Sequence, residues 1–316
     1  MKSKPWLFVG LAVVIAGAAI LALWQYRHFS VQSAGDMVSV LPSKDAILFF
    51  VDVNTLRRTG FLEKLAANKV TEDQEYKDFV AQTHFNYERD LDRIVGSVQK
   101  LQNGSAVYYL TLDGRFDWSQ LTLYVKRHNG DCIHSLCSVP ATKPGWWISY
   151  LPIHSKLMGL AYSTEKNAAY GFDVGRNLKP QSVPPGFAWL TIPQSALSNV
   201  AAPAQTSGAG SSLSTLRSIL ATPKQSTFSL TAAPDSTSGA ELHFKADLAS
   251  EASALALENQ LVQATDVVRQ TASEKGASKD TAALANVLSS GHFSRSATQV
   301  RGVWVVSPAF LDAITQ

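Results

Sequence analysis

The chain has 316 residues, 46% of them hydrophobic and 17% charged, so it can bury a core and is not globally disordered, collagen-like or a coiled coil. Its length predicts one or two domains, and we expect two. The formal net charge of +3 comes from Lys2, Lys4 and Arg27, because basic and acidic residues balance in the remainder. A neutral remainder offers no electrostatic footprint for nucleic acid, so we expect no nucleic-acid partner.

The first predicted element is an uncharged apolar run of nineteen residues, Trp6–Trp24. As a helix it would cover roughly 28 Å, close to the ~30 Å hydrocarbon core of a bilayer. Lys2 and Lys4 before the run favour a cytoplasmic N-terminus. Residues 1–26 therefore predict a signal-anchor with the lipid bilayer as a partner: a single-pass inner (cytoplasmic) membrane protein whose C-terminal region is periplasmic. The alternative is a signal peptide cleaved near residues 33–35.

After the anchor, composition divides the chain into a tether and two α+β modules. The polar, mixed residues 27–40 indicate the tether, and Leu41–Pro42 begins the first module, 41–179. A proline cluster near residue 180 ends it, and the second module covers 180–316. Within that module, 201–214 consists mostly of Ala, Ser, Gly, Thr and Pro, which predicts a mobile loop.

The order of elements predicts a ferredoxin-like fold for both modules. In the first module we expect strand, helix, strand, strand, helix, strand, over Ala46–Val53, Leu56–Leu65, Ile94–Val98, Ser105–Leu112, Leu121–Val125 and Cys132–Ser138. That is β-α-β-β-α-β, with antiparallel sheets. The second module repeats the order, and its start, Ala188–Leu197, echoes Ala46–Leu56, which suggests an internal duplication.

In the second module, one strand carries a clear two-residue alternation. Leu242, Phe244, Ala246 and Leu248 alternate with charged and polar residues. A strand with this pattern has one buried face and one wet face. Ser250 then caps a long helix with an apolar stripe at three- and four-residue spacing.

Three sequence runs carry a resemblance to a known family: LPSKDAILFFVDVNTLRRTGFLEKL (41–65), YKDFV (76–80) and YERDLDRIVGSV (87–98). In these runs the chain resembles the opening of a family of uncharacterised bacterial exported or membrane-anchored proteins. The motifs are structural, and the family carries no assigned activity. The resemblance therefore implies a bacterial envelope protein and no catalytic residue.

The two cysteines, Cys132 and Cys137, lie five positions apart with His134 between them. If they lie outside the cytoplasm they oxidise, and a disulfide closing so short a loop contributes about 2 kcal/mol. Free thiols and a metal or redox site are the alternatives, but no second cluster of cysteines and histidines supplies further ligands. We predict the disulfide and no cofactor.

Two further groups of candidate residues are one aromatic group and one acidic group. Trp146, Trp147 and Tyr150 form the most suggestive aromatic group and predict a possible binding surface, although neighbouring residues on a strand point to opposite faces. Glu88, Asp90 and Asp92 could suggest a cation site, but Arg89 and Arg93 alternate with them and favour a self-neutralised turn.

No motif in the sequence supplies a nucleophile, a phosphate loop or a metal-ligand set. We therefore expect a non-catalytic binding or assembly module of the bacterial envelope, with an envelope protein as its partner. The alternative is an envelope hydrolase whose site is assembled from dispersed residues. A polar pocket that joins His134 or His154 to a carboxylate would favour the hydrolase, and an exposed groove would favour the binding module.

Overall fold

Twelve strands form one continuous antiparallel sheet in the described part of the chain, with helices packed on it. The structure, a computed structural model, describes residues 33–66, 74–100, 104–174, 178–198, 222–233, 239–272, 286–307 and 310. The strands are β1 (Ile47–Asp52), β2 (Leu91–Lys100), β3 (Ala106–Gly114), β4 (Asp131–Ile133), β5 (Leu136–Pro140), β6 (Trp147–His154), β7 (Leu157–Ser163), β8 (Ala188–Pro193), β9 (Gln225–Ala232), β10 (Ala240–Asp247), β11 (His292–Ser296) and β12 (Gln299–Val306).

The helices are mostly short and occupy the connections between strands. They are α1 (Ala34–Ser39), α2 (Val53–Arg58), α3 (Phe61–Ala66), α4 (Gln74–Thr83), α5 (Tyr87–Asp90), α6 (Trp118–Arg127), α7 (Gln194–Ser198) and α8 (Glu251–Ala272), with a 3-10 turn at Ala168–Gly171.

The strand order is β11-β12-β10-β9-β8-β1-β2-β3-β7-β6-β5-β4, so β8 and β1 meet in the middle. The prediction of two ferredoxin-like modules is therefore wrong. In such a module the strands before and after the first helix are parallel. Here β2 begins at the same end of the sheet at which β1 ends. The two strands are therefore antiparallel, and they pair as direct neighbours. The order of strands and helices along the chain does not specify whether β2 runs parallel or antiparallel to β1.

The predicted membrane span is not found in the described part of the chain. No helix there is both long and apolar enough to cross a bilayer. The longest, α8, has 22 residues but carries charged residues along its length, among them Glu258, Asp266 and Arg269. The run Trp6–Trp24 itself lies outside the described residues, as does the predicted loop 201–214. The predictions of a single-pass topology, a periplasmic location and a bilayer partner through an N-terminal helix are therefore not supported.

One side of the sheet, face A, carries Phe50 and Trp189 and is covered in its first half by α1 and the 3-10 turn. Helix α1 begins with a capping box in which Ser33 and Asp36 bond each other's backbone N–H. It buries Met37 and Val38 against β1, β2 and β3. Residues 34–39, within the segment expected to be a tether, are thus part of the core.

The opposite side, face B, is covered by helices in both halves. Helix α6 packs Leu121 and Val125 onto β5, β6 and β7. In the second half, α8 packs Leu257 onto β10 and β12. Phe244 and Ala246 of β10 are 3% and 0% exposed in this core, which confirms the alternation predicted for that strand.

Gly186 turns the chain into β8 at a backbone φ of 113°, which side-chain-bearing residues rarely adopt. A β-carbon there would lie 2.2 Å from the Leu230 carbonyl oxygen, which accepts a hydrogen bond from Phe187 N. We expect Gly186→Ala to lower the free energy of unfolding by about 3 kcal/mol or more, measured by urea denaturation. Gly145→Ala is the matched control, because Gly145 also has a positive φ, 75°, but open space around it. Equal losses in both variants would contradict the steric argument.

Candidate binding groove

No helix among the described residues covers face A over β9, β10 and β12, and a groove of about 1060 Å³ lies there. The four strands β8, β9, β10 and β12 form its floor. Its wall comes from the end of α1, residues 43–48 and the segment 181–185 that precedes β8. The groove thus lies where the two halves of the sheet meet.

The wall is held in place by backbone hydrogen bonds. Gln181 N donates to the Gly35 carbonyl of α1 at 3.2 Å, which ties the start of segment 181–185 to that helix. At the other end, Phe187 N donates to Leu230 O at 2.9 Å and Asp52 N donates to Phe187 O at 2.7 Å. The apolar side chains Val183, Pro184 and Pro185 therefore line the groove from a segment fixed at both ends.

Polar side chains predominate on the groove floor because most apolar residues of these strands, with exceptions that include Trp189 and Val303, face the core on face B. Strand pairing places Thr191 beside Thr227, Thr227 beside Lys245, and Lys245 beside Arg301. The hydroxyl oxygens of Thr191 and Thr227 are 3.5 Å apart. The floor therefore presents two hydroxyls and two cations in one row across four strands.

A chain of polar contacts orients the charged end of that row. Arg301 Nε donates to Gln299 Oε1 at 2.7 Å, and Gln299 Nε2 donates to Asp247 Oδ1 at 2.9 Å. The other oxygen of Asp247 lies 3.5 Å from Lys245 Nζ. The guanidinium is thereby fixed through its Nε.

Trp189 lies at the inner side of the groove and is 4% exposed. Its ring stacks on Phe50 with centroids 5.8 Å apart. Its indole N–H has no hydrogen-bond partner among the described residues. That nitrogen is itself buried from solvent, and a buried donor without an acceptor costs about 1–3 kcal/mol.

His243 is the titratable base of the groove, and its contacts do not form a catalytic triad. Thr231 Oγ1 and Glu241 Oε2 lie 3.0 and 3.1 Å from the same ring nitrogen, Nε2. One nitrogen cannot donate its proton to the carboxylate and accept the threonine proton at the same time. A triad needs the carboxylate and the nucleophile on different ring nitrogens.

The two histidines that could have indicated a hydrolase are elsewhere. His134 is exposed in the turn between β4 and β5, and His154 is exposed at the end of β6. Neither lines the groove. No group of three metal-binding side chains occurs within the described ranges.

The three aromatic residues that were predicted to form a binding surface do not lie on one surface. Trp146 lies with Tyr108 and Tyr162, at ring centroid distances of 6.4 and 4.6 Å. Trp147 has the Lys166 ammonium 5.0 Å from its ring centroid. Tyr150 is 6% exposed in the core beneath α6. Only Trp146 joins an aromatic cluster with an exposed member, because Tyr108 is 39% exposed.

The cysteines and the acidic turn, the remaining candidates, make contacts that stabilise the fold. Cys132 and Cys137 form a disulfide across β4 and β5. Asp90 accepts hydrogen bonds from Arg89 Nη2 at 2.7 Å and from the Asn86 backbone N–H at 3.0 Å, and Arg115 Nε lies 3.5 Å away. The hydrogen bond from Arg89 is the main reason that the pKa of Asp90 is lowered. Arginines thus neutralise this acidic turn.

No family model matches the sequence, and no curated protein matches it. Among solved structures, crystal form I of TP0453 is similar, with a TM-score of 0.43 and 12% identity. The similarity covers 90% of this chain and 98% of that chain. A TM-score and a sequence identity this low do not indicate a shared function.

Burial raises the pKa of Tyr150 to about 12, from an ordinary value of 10. Thr122 is the polar side chain nearest to the Tyr150 hydroxyl and partly offsets this rise, but no contact of that hydroxyl has hydrogen-bond geometry within the described ranges. We therefore expect Tyr150→Phe to leave the free energy of unfolding unchanged or to raise it by up to about 1 kcal/mol. Tyr150→Ala leaves a cavity and should cost about 3–5 kcal/mol.

The raised pKa of Tyr150 also predicts the direction in which stability changes at alkaline pH, and urea denaturation can measure it. The unfolded state ionises Tyr150 first, so wild-type stability should fall as the pH rises from about 10 towards 12. Tyr150→Phe should lack this contribution. A loss of stability in Tyr150→Phe at neutral pH would show that the hydroxyl has a partner after all.

The lowered pKa of Asp90 predicts acid sensitivity. Its contribution to stability is present above the ordinary carboxyl pKa of about 4 and is lost as the pH falls through the lower folded value. Asp90→Asn should lower the free energy of unfolding by about 2 kcal/mol at pH 7, and its stability should change less than that of wild type between about pH 4 and 2. Asp78→Asn, at an exposed carboxylate of α4, is the control. Parallel pH profiles for Asp90→Asn and wild type would contradict this assignment.

Proposed function

We propose that this protein is a binding module whose ligand occupies the groove on face A. The observation that carries the proposal is the groove itself: its volume of about 1060 Å³ is slightly above the range of roughly 300–1,000 Å³ that is typical of ligand sites. It combines an apolar wall at Val183 and Pro184 with a polar floor. That combination provides area for affinity and a few fixed polar groups for specificity.

The rigidity of the groove supports a binding role. Its floor is four hydrogen-bonded strands, and its wall segment is held at both ends by backbone hydrogen bonds. Sites built on regular elements hold their geometry without paying to order loops on binding.

Contacts within the groove favour binding over hydrolysis. The His243 contacts with Thr231 and Glu241 use a single ring nitrogen, so no carboxylate orients the imidazole from its other nitrogen as a catalytic triad requires. The groove therefore supplies recognition groups, and no observation among the described residues favours the hydrolase that remains the alternative.

Site-specific photo-crosslinking in producing cells tests the proposal. A photoreactive amino acid at Val303, on the groove floor, should give a discrete crosslinked species. Thr227→Trp, which fills the groove from its floor, should abolish that species while circular dichroism and thermal midpoint show a folded protein. The same photoreactive residue at Leu123, exposed on α6, is the control. Equal crosslinking from both positions, or a species that survives Thr227→Trp, would contradict groove binding.

A further inference from the structure

Lys245 and Arg301 are direct cross-strand partners on the groove floor. Like charges directly opposite each other on a sheet destabilise it. Both side chains belong to strands whose other face is well packed, so the fold itself has no need of two cations at this register. An unfavourable pair of charges in a ligand groove indicates a function in recognition.

Neither positive charge is fully compensated. Arg301 uses only its Nε, in a hydrogen bond to the neutral Gln299, and its two terminal nitrogens have no partner within the described ranges. Lys245 has one ion pair, with Asp247 at 3.5 Å, in which the side chains are 48% and 40% exposed. Ion pairs at such exposure are screened by water and contribute little.

The carboxylates near the groove are already engaged. Asp247 accepts from Gln299, and Glu241 contacts His243 at 3.1 Å. Asp45, on the opposite wall, accepts a hydrogen bond from the Ser195 hydroxyl at 3.2 Å. Each of these carboxylates therefore has at least one partner, whereas the terminal nitrogens of Arg301 have none within the described ranges.

Hydroxyl groups extend the donor row. Thr227 is the cross-strand partner of Lys245, and Thr191 is the partner of Thr227. With strands about 4.8 Å apart, the row from Thr191 to Arg301 is roughly 14 Å long. The planar guanidinium matches the oxygens of a phosphate or carboxylate, and the ammonium and hydroxyls add further donors.

We infer that the groove binds its ligand through an anionic group, a phosphate or a carboxylate, which Lys245 and Arg301 hold together. The inference rests on the proposed function and names the ligand class of the same site. The anion relieves the repulsion between the two cations, and the apolar part of the ligand lies against Val183 and Pro184. The ligand is therefore an amphiphilic anion.

Isothermal titration calorimetry with inorganic phosphate and, separately, with citrate tests the inference and distinguishes the two anion sources. Wild type should bind at least one of them at millimolar concentration. The double variant Lys245→Gln, Arg301→Gln should weaken that binding at least tenfold. The control is Arg127→Gln, Lys156→Gln, which removes the same charge at exposed positions of α6 and the β6–β7 turn and should bind as wild type does. Equal weakening in both double variants, or no binding by wild type, would overturn the inference.

Thermal unfolding gives a second readout. Because the two cations repel each other, the double variant should melt at the same temperature as wild type or higher. A lower melting temperature would mean that the pair serves the fold, and it would overturn the inference. The single variant Arg301→Gln, which keeps one cation, should bind with intermediate affinity.

The two proposals can fail separately. If crosslinking at Val303 persists unchanged in the Lys245→Gln, Arg301→Gln background, the groove binds a ligand but the anion site is wrong. If wild type gives no groove-specific crosslink, while phosphate or citrate binding still depends on Lys245 and Arg301, then an anion site exists but the binding module as proposed does not.

Discussion

The antiparallel pairing of β1 with β8 is the interaction on which the rest of the structure depends. Four residue pairs, from Leu48 with Thr191 to Val51 with Ala188, join two halves that would otherwise be separate sheets. On face A the pairing brings the rings of Phe50 and Trp189 into contact. It also places the polar floor of the second half beside α1 and segment 181–185, so the groove exists only because the halves are joined.

The second half of face A offers little apolar surface on which a helix could pack, and no helix covers it in the part of the chain that the structure describes. Along β9, β10 and β12 its residues include Thr227, His243, Lys245 and Arg301, and a helix packed there would desolvate two cations. Face B of the same strands is apolar and is covered by α8. The alternation within each strand thus forms an apolar core on one side of the sheet and leaves a polar, charged surface on the other.

Sequence patterns revealed this alternation but not its consequences. Residues 241–248 predicted one buried and one wet face, and Phe244 and Ala246 are indeed in the core. The same pattern carried the only signal for the groove floor, since Lys245 lies on its wet face. That Arg301 pairs with Lys245 could not be predicted, because strand register depends on contacts between residues more than fifty positions apart. The direction of β2 relative to β1, and hence the single sheet, depends on the path of several short helices that strand order does not encode.

The edges of the sheet bear on how this protein behaves at high concentration. An open sheet exposes unpaired backbone groups at each end, and these can recruit strands from other molecules. Here one edge is β4, only three residues long and tied to β5 by the disulfide. The other is β11, five residues long, whose Arg295 is bound by Glu258 of α8 at 3.1 Å. Short, charged and tethered edges give a second molecule little to pair with, which disfavours edge-to-edge association between copies of the sheet.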